Sequence, residues 1–374
     1  MNRNRVNKKR MGGARVLSRA AAGMLAAALC FQPMTALAGP AGDSSLTSSS
    51  SNAGPGGGSG SSNSGSTGSS GGSTSVSNGG VSAVTSGLGV YRVTENEGIG
   101  AIARGVDVSY WQQNVNWSQV ASDNAQFAML ATRFRGNVDP FFAMNAANAS
   151  QAGLRLGAYI YSYATSVEMA QQEADFVLNL IKDYPISFPV VFDAEDANTL
   201  GTLTQSQVSD VINAFCKRIQ DAGYYPMVYA NEYWIANKID MSKISYDIWV
   251  AKYQQKYTYS KTSMWQASNT GSVKGVNGNV DIDYLYKDYT QIIPGNTWRT
   301  IAGNRYYYQN HVMQKSAWIN DGQNWYYMNA AGNPSKGWLE LSGKKYYLEA
   351  DGHMITGWKT LDGGWRYFDA SGEQ

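Results

Sequence analysis

The chain has 374 residues, of which 43% are hydrophobic, and it carries 30 basic and 28 acidic residues. Such a length and apolar content suffice for two or three globular domains. Seven of the basic residues lie among the first nineteen positions, where there is no acid, so the rest of the chain has 23 basic and 28 acidic residues. Nucleic acid is therefore excluded as an expected partner, because phosphate binding needs a basic face.

The first 38 residues have the three regions of a secretory signal peptide. A basic start is followed by an apolar run over residues 20–31 and by an Ala-x-Ala site that ends at Ala38. The apolar run is short for a bilayer span, and Gln32 and Pro33 interrupt it. We therefore expect cleavage after Ala38, secretion, and no membrane span in the mature chain.

Residues 39–88 are dominated by glycine, serine, asparagine and threonine. Such a composition buries too little apolar surface to fold, so it predicts a flexible linker. Of the two cysteines, Cys30 leaves with the signal peptide and Cys216 remains alone. The mature protein is therefore expected to have no disulfide and to be held together by its core.

From residue 104 to residue 288, apolar runs with strand character alternate with helical patterns. Alternation of this kind predicts an α/β fold with parallel strands, either a modified β/α (TIM-like) barrel, which we favour, or a doubly wound sheet. The clearest helices are residues 167–182 and 205–220, the second preceded by Thr204 as a possible N-cap and followed by Gly223. The expected strands are residues 105–108, 127–132, 156–163, 190–195, 226–230, 248–253, 264–267 and 280–282.

Acidic residues follow three of these strands. In an extended chain Asp193 and Glu195 project to the same side, because side chains alternate between the two faces. Asp107 and Asp281 lie at the ends of the first and last strands, so a barrel would bring all four acids to one mouth. Paired acids of this kind suit glycosidic bond cleavage, although an acid pair after a strand also occurs at the start of a solvated loop.

Histidine is missing from the whole central region. The two histidines of the chain, His311 and His353, both lie in the C-terminal part. Zinc hydrolases, Ser-His-Asp hydrolases and Cys-His peptidases each need at least one histidine. No glycine-rich phosphate loop is present either. A hydrolase built here must use carboxylates, and we expect no cofactor and no metal.

The region 296–374 repeats with a strict period. Tryptophan recurs every 20 residues at Trp298, Trp318, Trp338 and Trp358, and tyrosines follow each one eight or nine positions later. A period of this length predicts a small solenoid-like module of β-hairpins that complete one another's cores.

The ordered motifs of residues 104–288 resemble glycoside hydrolase family 25, the lysozymes or N-acetylmuramidases of bacteria and phages. The resemblance implies a modified β/α barrel that cleaves the β-1,4 bond between N-acetylmuramic acid and N-acetylglucosamine. It implies Glu195 as general acid, with Asp193, Asp107 and Asp281 in support. The motifs are Gly105-Val106-Asp107-Val108-Ser109-Tyr110-Trp111-Gln112, Gly157-Ala158-Tyr159, Asp193-Ala194-Glu195, Tyr229-Ala230-Asn231, Trp249-Val250-Ala251-Lys252-Tyr253, Trp265-Gln266 and Val280-Asp281-Ile282-Asp283.

The resemblance leaves some details of the site open. Substrate contacts are expected from Tyr161, Tyr229, Trp265 and Gln266. The chain departs from the family pattern at residues 131–133 and at Asp283, where family members often have an asparagine. Two mechanisms remain: the substrate's own acetamido group attacks with help from Asp193, or Asp193 or Asp107 is a covalent nucleophile. In both, the pKa of Glu195 should be raised.

The C-terminal repeats are similar to choline-binding, cell-wall-binding repeats, in which aromatic residues of adjacent hairpins hold quaternary ammonium groups of teichoic acids. The expected wall-ligand residues are Trp318, Trp325, Trp338, Trp358 and Trp365. The seventh position after each repeat tryptophan is aromatic in two repeats but basic at Arg305 and Lys345. The sequence as a whole predicts a secreted, wall-associated muramidase acting on peptidoglycan. The alternative is a non-catalytic glycan-binding or adhesin protein.

Overall fold

The computed structural model describes residues 73–76, 82–94 and 96–374. The predicted signal peptide and the first part of the predicted linker lie outside these residues. Among the helices of the described part, none is long and apolar enough to cross a membrane.

A closed eight-stranded barrel forms the centre of the molecule, and each strand pairs with its neighbour in sequence. The barrel prediction is therefore confirmed and the doubly wound sheet is ruled out. The strands are β1 (Ala103–Val108), β2 (Phe127–Ala131), β3 (Arg155–Tyr161), β4 (Ile186–Asp193), β5 (Pro226–Asn231), β6 (Asp247–Ala251), β7 (Thr262–Gly271) and β8 (Val280–Leu285).

The last strand departs from the parallel arrangement expected from the sequence. Strands β1 to β7 pair in parallel, whereas β8 runs antiparallel to both β7 and β1. Strand direction cannot be read from the apolar pattern, which has the same period in both cases. As a result, the residues at the start of β8 lie at the same mouth as the ends of the other strands.

Helices cover the outside of the barrel, and the two predicted ones are confirmed. Helix α3 begins after Ser166, whose side chain accepts a hydrogen bond from the backbone of Met169. Helix α4 begins with a capping box between Thr204 and Gln207. The helices are α1 (Trp117–Ser122), α2 (Phe142–Gln151), α3 (Val167–Ile181), α4 (Gln205–Asp221) and α5 (Glu232–Asn237), with 3₁₀ turns at Asn96–Gly98, Tyr110–Gln112, Leu200–Thr202, Met241–Lys243 and Tyr289–Gln291.

The core has two layers, since each strand buries both faces. The outer layer joins strand residues such as Val190 and Phe192 to helix residues such as Phe215. The inner layer fills the lower half of the barrel, where Phe127 and Phe188 stack with their ring centroids 5.1 Å apart. Above this apolar plug the barrel interior becomes polar, and this is where the acidic residues lie.

Part of the predicted linker is folded. A three-stranded antiparallel sheet comprises Ser73–Val76, Ser82–Ser86 and Gly89–Val93. Val84 and Tyr91 are buried against the barrel core, and the Asn124 side chain exchanges two hydrogen bonds with the backbone of Arg92. Ser73–Val76 and Ser82–Ser86 are thus strands within the range 39–88 for which the composition predicts a linker, and a few apolar residues among its glycines and serines find a partner on the barrel.

The C-terminal repeats form β-hairpins with the predicted period. Successive hairpins are joined by ring contacts from one repeat tryptophan to an aromatic residue of the next hairpin, as in Trp298 to Tyr326 at 4.9 Å and Trp318 to Tyr346 at 5.0 Å. The strands are Thr297–Ile301, Asn304–Gln309, Val312–Met313, Ala317–Asn320, Trp325–Met328, Gly337–Leu341, Lys344–Leu348, Gly357–Leu361 and Gly364–Phe368, and a separate short hairpin, Arg133–Phe134 with Asn137–Val138, lies beside the barrel mouth.

The first of these hairpins is packed against the barrel. Arg299 is 1% exposed, and its guanidinium lies between the rings of Tyr224 at 3.9 Å and Tyr308 at 4.3 Å. The Tyr308 hydroxyl donates to the carbonyl of Lys182. Gly223 has φ +88°, and an added Cβ would approach Arg299 Cγ to 3.1 Å, so this close contact requires glycine. The first hairpin is therefore held against the barrel by buried side-chain contacts.

Candidate active site

Three strands deliver carboxylates to one mouth of the barrel. Asp107 lies near the end of β1, Asp193 ends β4, and Asp281 follows the first residue of β8. Asp281 pairs directly with Asp107 across the antiparallel β8–β1 ladder. The predicted convergence therefore occurs, but Asp281 reaches the mouth from the beginning of its strand and not from its end.

Glu195 lies two residues beyond the end of β4. The predicted strand over residues 190–195 is thus two residues too long, yet the chain stays extended because the Ala194 amide donates to the Tyr229 carbonyl at 2.9 Å. Ala194 is buried in the outer core, and Asp193 and Glu195 both line the cavity inside the mouth. The same-face arrangement expected from the period of two is confirmed.

A single amide links the acids of β1 and β8. Gln266 Nε2 donates to Asp107 Oδ2 at 2.6 Å and to Asp281 Oδ2 at 3.1 Å. Its Oε1 accepts from the hydroxyls of Tyr229 at 2.8 Å and Tyr253 at 2.7 Å. Gln266 is 3% exposed, so a buried amide with four partners fixes the orientation of two carboxyl groups.

Asp283 is a fifth carboxyl in the same interior. It is fully buried, pairs with Gln266 across the β7–β8 ladder, and accepts a hydrogen bond from Trp249 Nε1 at 3.0 Å. In the sequence Asp283 stands out only as a departure from the family pattern. Its position two residues after Asp281 was the signal that both face inward.

Burial raises the pKa of every one of these acids, and for all of them except Asp281 neighbouring negative charge raises it further. For Asp107 and Asp283 burial is the larger cause and the charge of Asp281 the next, whereas for Asp193 burial is followed by the charge of Glu195. The pKa of Asp281 rises to about 6, again through burial. Because neighbouring carboxylates repel one another, the acids at the barrel mouth are not all ionised at the same time.

Glu195 has the position and the titration expected of a proton donor. It is half-buried at the mouth, and its pKa is raised first by burial and then by the negative charges of Asp281 and Asp196. Nearby Arg133 does not oppose this rise, because it is engaged in an ion pair with Glu173 at 2.5 Å. A protonated Glu195 can therefore donate to an oxygen atom that enters the cavity.

The walls of the cavity are largely aromatic. Its volume is about 460 Å³, and Tyr161 at its rim donates a hydrogen bond to Asp196 at 3.1 Å. Trp111 is 67% exposed beside the mouth and contacts the ring of Phe134 edge-on at 5.6 Å. Flat apolar faces next to carboxylates are the surfaces on which sugar rings pack. Further lining residues are Tyr159, Tyr163, Trp249 and Tyr253.

One predicted substrate contact is misplaced. Tyr161, Tyr229 and Gln266 line the cavity, but Trp265 does not. It is 1% exposed on the outer face of β7, where it packs against Tyr284. Adjacent residues of a strand face opposite sides, so Trp265 must point outward if Gln266 points inward.

Trp265 lines a different groove of about 590 Å³ on the outer side of β7 and β8. That groove shares Tyr253 and Asn269 with the acidic cavity but contains none of the five carboxyls. The acidic cavity, although smaller, is therefore the candidate active site.

The predicted wall-ligand residues fall into two groups. Trp318 and Trp325 are partly buried against Tyr346 and Leu348. The other three are surface residues: Trp338 is 41%, Trp358 67% and Trp365 73% exposed.

Comparisons with known proteins match the barrel and the C-terminal repeats to different families. Residues 106–276 match the model of glycosyl hydrolases family 25, residues 316–333 a putative cell wall binding repeat, and residues 335–374 a choline-binding repeat. Uncharacterized protein YegX of Escherichia coli O157:H7 is 31% identical over 189 residues, which are 48% of this chain and 68% of that protein.

Two further relatives carry functional names. Lysozyme M1 of Streptomyces globisporus is 30% identical over 195 residues, covering 48% of this chain and 66% of the relative. The crystal structure of the CTP1L endolysin is 25% identical, covers 51% of this chain and 69% of that one, and superposes with a TM-score of 0.45.

Proposed function

The chain belongs to glycosyl hydrolase family 25 and is a glycoside hydrolase, and from this premise we propose that it is a lysozyme. Its substrate is peptidoglycan, and the bond it hydrolyses is the β-1,4 bond between N-acetylmuramic acid and N-acetylglucosamine. The observation that carries the proposal is the cavity in which Glu195 stands at the mouth and four other carboxyls lie around and beneath it.

In the first step Glu195 is the general acid. Its proton passes to the glycosidic oxygen as the bond between that oxygen and the anomeric carbon breaks. The carbonyl oxygen of the substrate's 2-acetamido group then bonds to the anomeric carbon and forms an oxazolinium ion. The carboxylate of Asp281, whose pKa is about 6, stabilises the positive charge that develops on the ring, and Asp107 is held beside it by the shared amide of Gln266.

Asp193 is assigned to the acetamido group. Within the described part of the chain its Oδ1 is buried and has no hydrogen-bond partner, so it is available to accept a hydrogen bond from the acetamido N–H. In the free enzyme burial and Glu195 raise the pKa of Asp193. The positive charge of the oxazolinium intermediate favours the ionised form of Asp193, and this carboxylate in turn stabilises the intermediate.

In the second step Glu195 acts as a base. Its carboxylate takes a proton from water, and the oxygen of that water attacks the anomeric carbon and displaces the acetamido oxygen. Two displacements at one carbon give net retention of configuration. The competing mechanism makes Asp193 or Asp107 a covalent nucleophile, and isolation of a glycosyl adduct on either residue would refute the substrate-assisted one.

The proposal extends to location. We infer that residues 1–38 direct secretion and that the repeats of residues 296–374 attach the enzyme to the cell wall through choline groups of teichoic acids. The aromatic contacts between successive hairpins and the matches to wall-binding repeats support this attachment.

The test is a digest of purified peptidoglycan followed by reduction and identification of the new chain ends. A lysozyme produces reducing ends on N-acetylmuramic acid in proportion to enzyme and time. A protein that binds the glycan but produces no new reducing ends is an adhesin, and that outcome would overturn the proposal.

A further inference from the structure

The four repeat tryptophans occupy equivalent positions in their own hairpins but contact different residues of the next hairpin. Each one meets a tyrosine across its own hairpin, at centroid distances between 5.1 and 5.4 Å. The first three also meet an aromatic ring of the next hairpin, and the seventh residue after the tryptophan completes the group. We call each such group a cage: Trp298 with Arg305 and Tyr326, Trp318 with Trp325 and Tyr346, and Trp338 with Lys345 and Phe368.

Two of the three cages already hold a cation of this chain. The guanidinium of Arg305 lies 4.1 Å from the centroid of the Trp298 ring, and that of Arg366 lies 5.6 Å from the Trp338 ring. The edges of these two indoles are also engaged, since Trp298 Nε1 donates to Asp321 at 3.1 Å and Trp338 Nε1 to Asp362 at 3.2 Å. An arginine in this position makes the contact that a bound cation would make.

The middle cage differs in each of these respects. Its seventh position is Trp325, its outer ring is Tyr346, and Leu341 packs into the same cluster. No arginine or lysine of the described residues lies over the Trp318 ring. The cage is therefore lined by uncharged groups, and no cation of the described chain covers its Trp318 ring.

A cavity of about 390 Å³ lined by Trp338, Lys345 and Arg366 lies at the third cage, so Arg366 covers the aromatic face without filling the space beside it. We propose that Arg305 and Arg366 act as internal cations that cover the aromatic faces of the first and third cages, so that the module binds one organic cation, in the cage of Trp318, Trp325 and Tyr346. The inference rests on the proposed wall attachment and goes beyond it, because it specifies which repeats bind and which residues prevent the others from binding.

The lining of the middle cage selects the chemistry of its ligand. A primary ammonium has three N–H groups that need acceptors, and uncharged aromatic and aliphatic side chains offer none. A quaternary ammonium has no N–H, is weakly hydrated, and presents methyl groups to aromatic faces. The cage therefore favours a trimethylammonium group over a lysine side chain or a free amine.

Trp358 and Trp365 make no comparable site. In the described chain Trp358 contacts the ring of Tyr367 of its own hairpin and no ring of another. Both tryptophans are more than 60% exposed. An open pair of this kind leaves a ligand mostly in water, where a cation–π contact is weakest.

Equilibrium dialysis of choline against the full chain counts the sites. We expect one equivalent for the wild type and at least tenfold weaker binding for Trp325→Lys, which copies the register of Lys345. Arg305→Trp opens the first cage and raises the count to two. Lys345→Trp leaves it at one because Arg366 still covers Trp338, whereas Lys345→Trp combined with Arg366→Tyr raises it to two.

Lys336→Ala, at an exposed position between the second and third hairpins, is the matched control and leaves the count at one, and near-ultraviolet circular dichroism of each variant verifies folding. Three equivalents in the wild type, unchanged binding in Trp325→Lys, or a folded Arg305→Trp variant that still binds one would each overturn the proposal. So would a wild type that does not bind choline. Reducing-end release by the same preparation is scored separately, so loss of the lysozyme proposal is distinguishable from loss of this one.

Discussion

The barrel mouth and the repeat module are both rich in aromatic residues, but they use them in opposite ways. In the mouth, Tyr229 and Trp249 donate hydrogen bonds that hold Gln266 and Asp283, so the rings support buried carboxyls. In the repeats, Trp318, Trp325 and Tyr346 form a partly buried cluster that has no acid among its members. The first region acts through charge and protons, and the second through desolvated apolar faces.

This difference implies that catalysis depends on the protonation of carboxyl groups, whereas wall attachment depends on aromatic contacts. Groups with raised pKa values gain and lose protons in the neutral range, so the mouth should respond strongly to pH and to single carboxyl changes. Aromatic cages carry no titrating group in that range, so binding should not respond.

Replacement of Glu195 has the largest expected effect. Glu195→Gln removes the proton donor while preserving shape, and general acid catalysis is worth about 10²–10⁴ in rate. We expect reducing-end release to fall by at least about 10³-fold with unchanged retention on intact walls. Glu168→Gln, at an exposed position in the first turn of α3, is the control and should keep full activity. A Glu195→Gln variant with more than a tenth of the wild-type rate would refute the assignment.

Replacement of Gln266, whose side-chain amide links the acids, should have the next largest effect. Gln266→Leu keeps the volume but removes the donor to Asp107 and Asp281 and the acceptor for two tyrosines. Groups left unpaired in a buried site cost about 1–3 kcal/mol each. We expect kcat to fall by about 10² and urea to unfold the barrel at a lower concentration. Gln119→Leu, on the exposed side of α1, should change neither quantity.

The pH profiles of the two activities should diverge. The pKa of Glu195 is raised by burial and by Asp281 and Asp196, and the general acid must be protonated. The rate is therefore maintained up to that raised pKa and falls about tenfold per pH unit above it. Retention on choline-containing walls at the same pH values should stay constant. A parallel decline of rate and retention would contradict the separation of the two regions.

Removal of Arg299 tests how firmly the first hairpin is held. Arg299→Met deletes a buried guanidinium between Tyr224 and Tyr308, and we expect the junction to lose about 2 kcal/mol. Thermal unfolding should show a separate early transition for the repeats, while hydrolysis of small soluble fragments is unchanged. Arg92→Ala at an exposed position should leave a single unfolding profile like that of the wild type.

The smallest expected effect is on the stability of the barrel with pH. Asp281 has a folded-state pKa of about 6, above its ordinary value of 3.8. The folded state thus binds more protons than the unfolded state in this window, and the free energy of unfolding falls as pH rises through it. Asp281→Asn should show a smaller fall between pH 4 and pH 7 in urea titrations. An identical fall in both proteins would contradict the raised pKa.

Much of this architecture follows from sequence patterns. The strand before Asp193 and the helices over Val167–Ile181 and Gln205–Asp221 appear where apolar periodicity and caps predict them. The period of two also predicts that Asp193 and Glu195 share a face. The same rule prevents Trp265 and Gln266 from sharing one, so an inward-facing Gln266 excludes Trp265 from the cavity.

Other features depend on tertiary contacts that no local pattern reports. The direction of β8 is set by its pairing with β1 and β7, so the sequence does not show that Asp281 enters the mouth from a strand start. The packing of Arg299 against the barrel depends on Gly223 and Tyr224, about 75 residues away. The hydrogen bonds of Gln266 are long-range for the same reason.

The central claim is that neighbouring acids at one mouth hydrolyse the muramyl bond with retention. Proton NMR of the first products from a soluble peptidoglycan oligosaccharide tests bond and stereochemistry together. We predict a reducing N-acetylmuramic acid that appears first as the β-anomer and then mutarotates. An initial α-anomer, or a new reducing end on N-acetylglucosamine, would contradict the account.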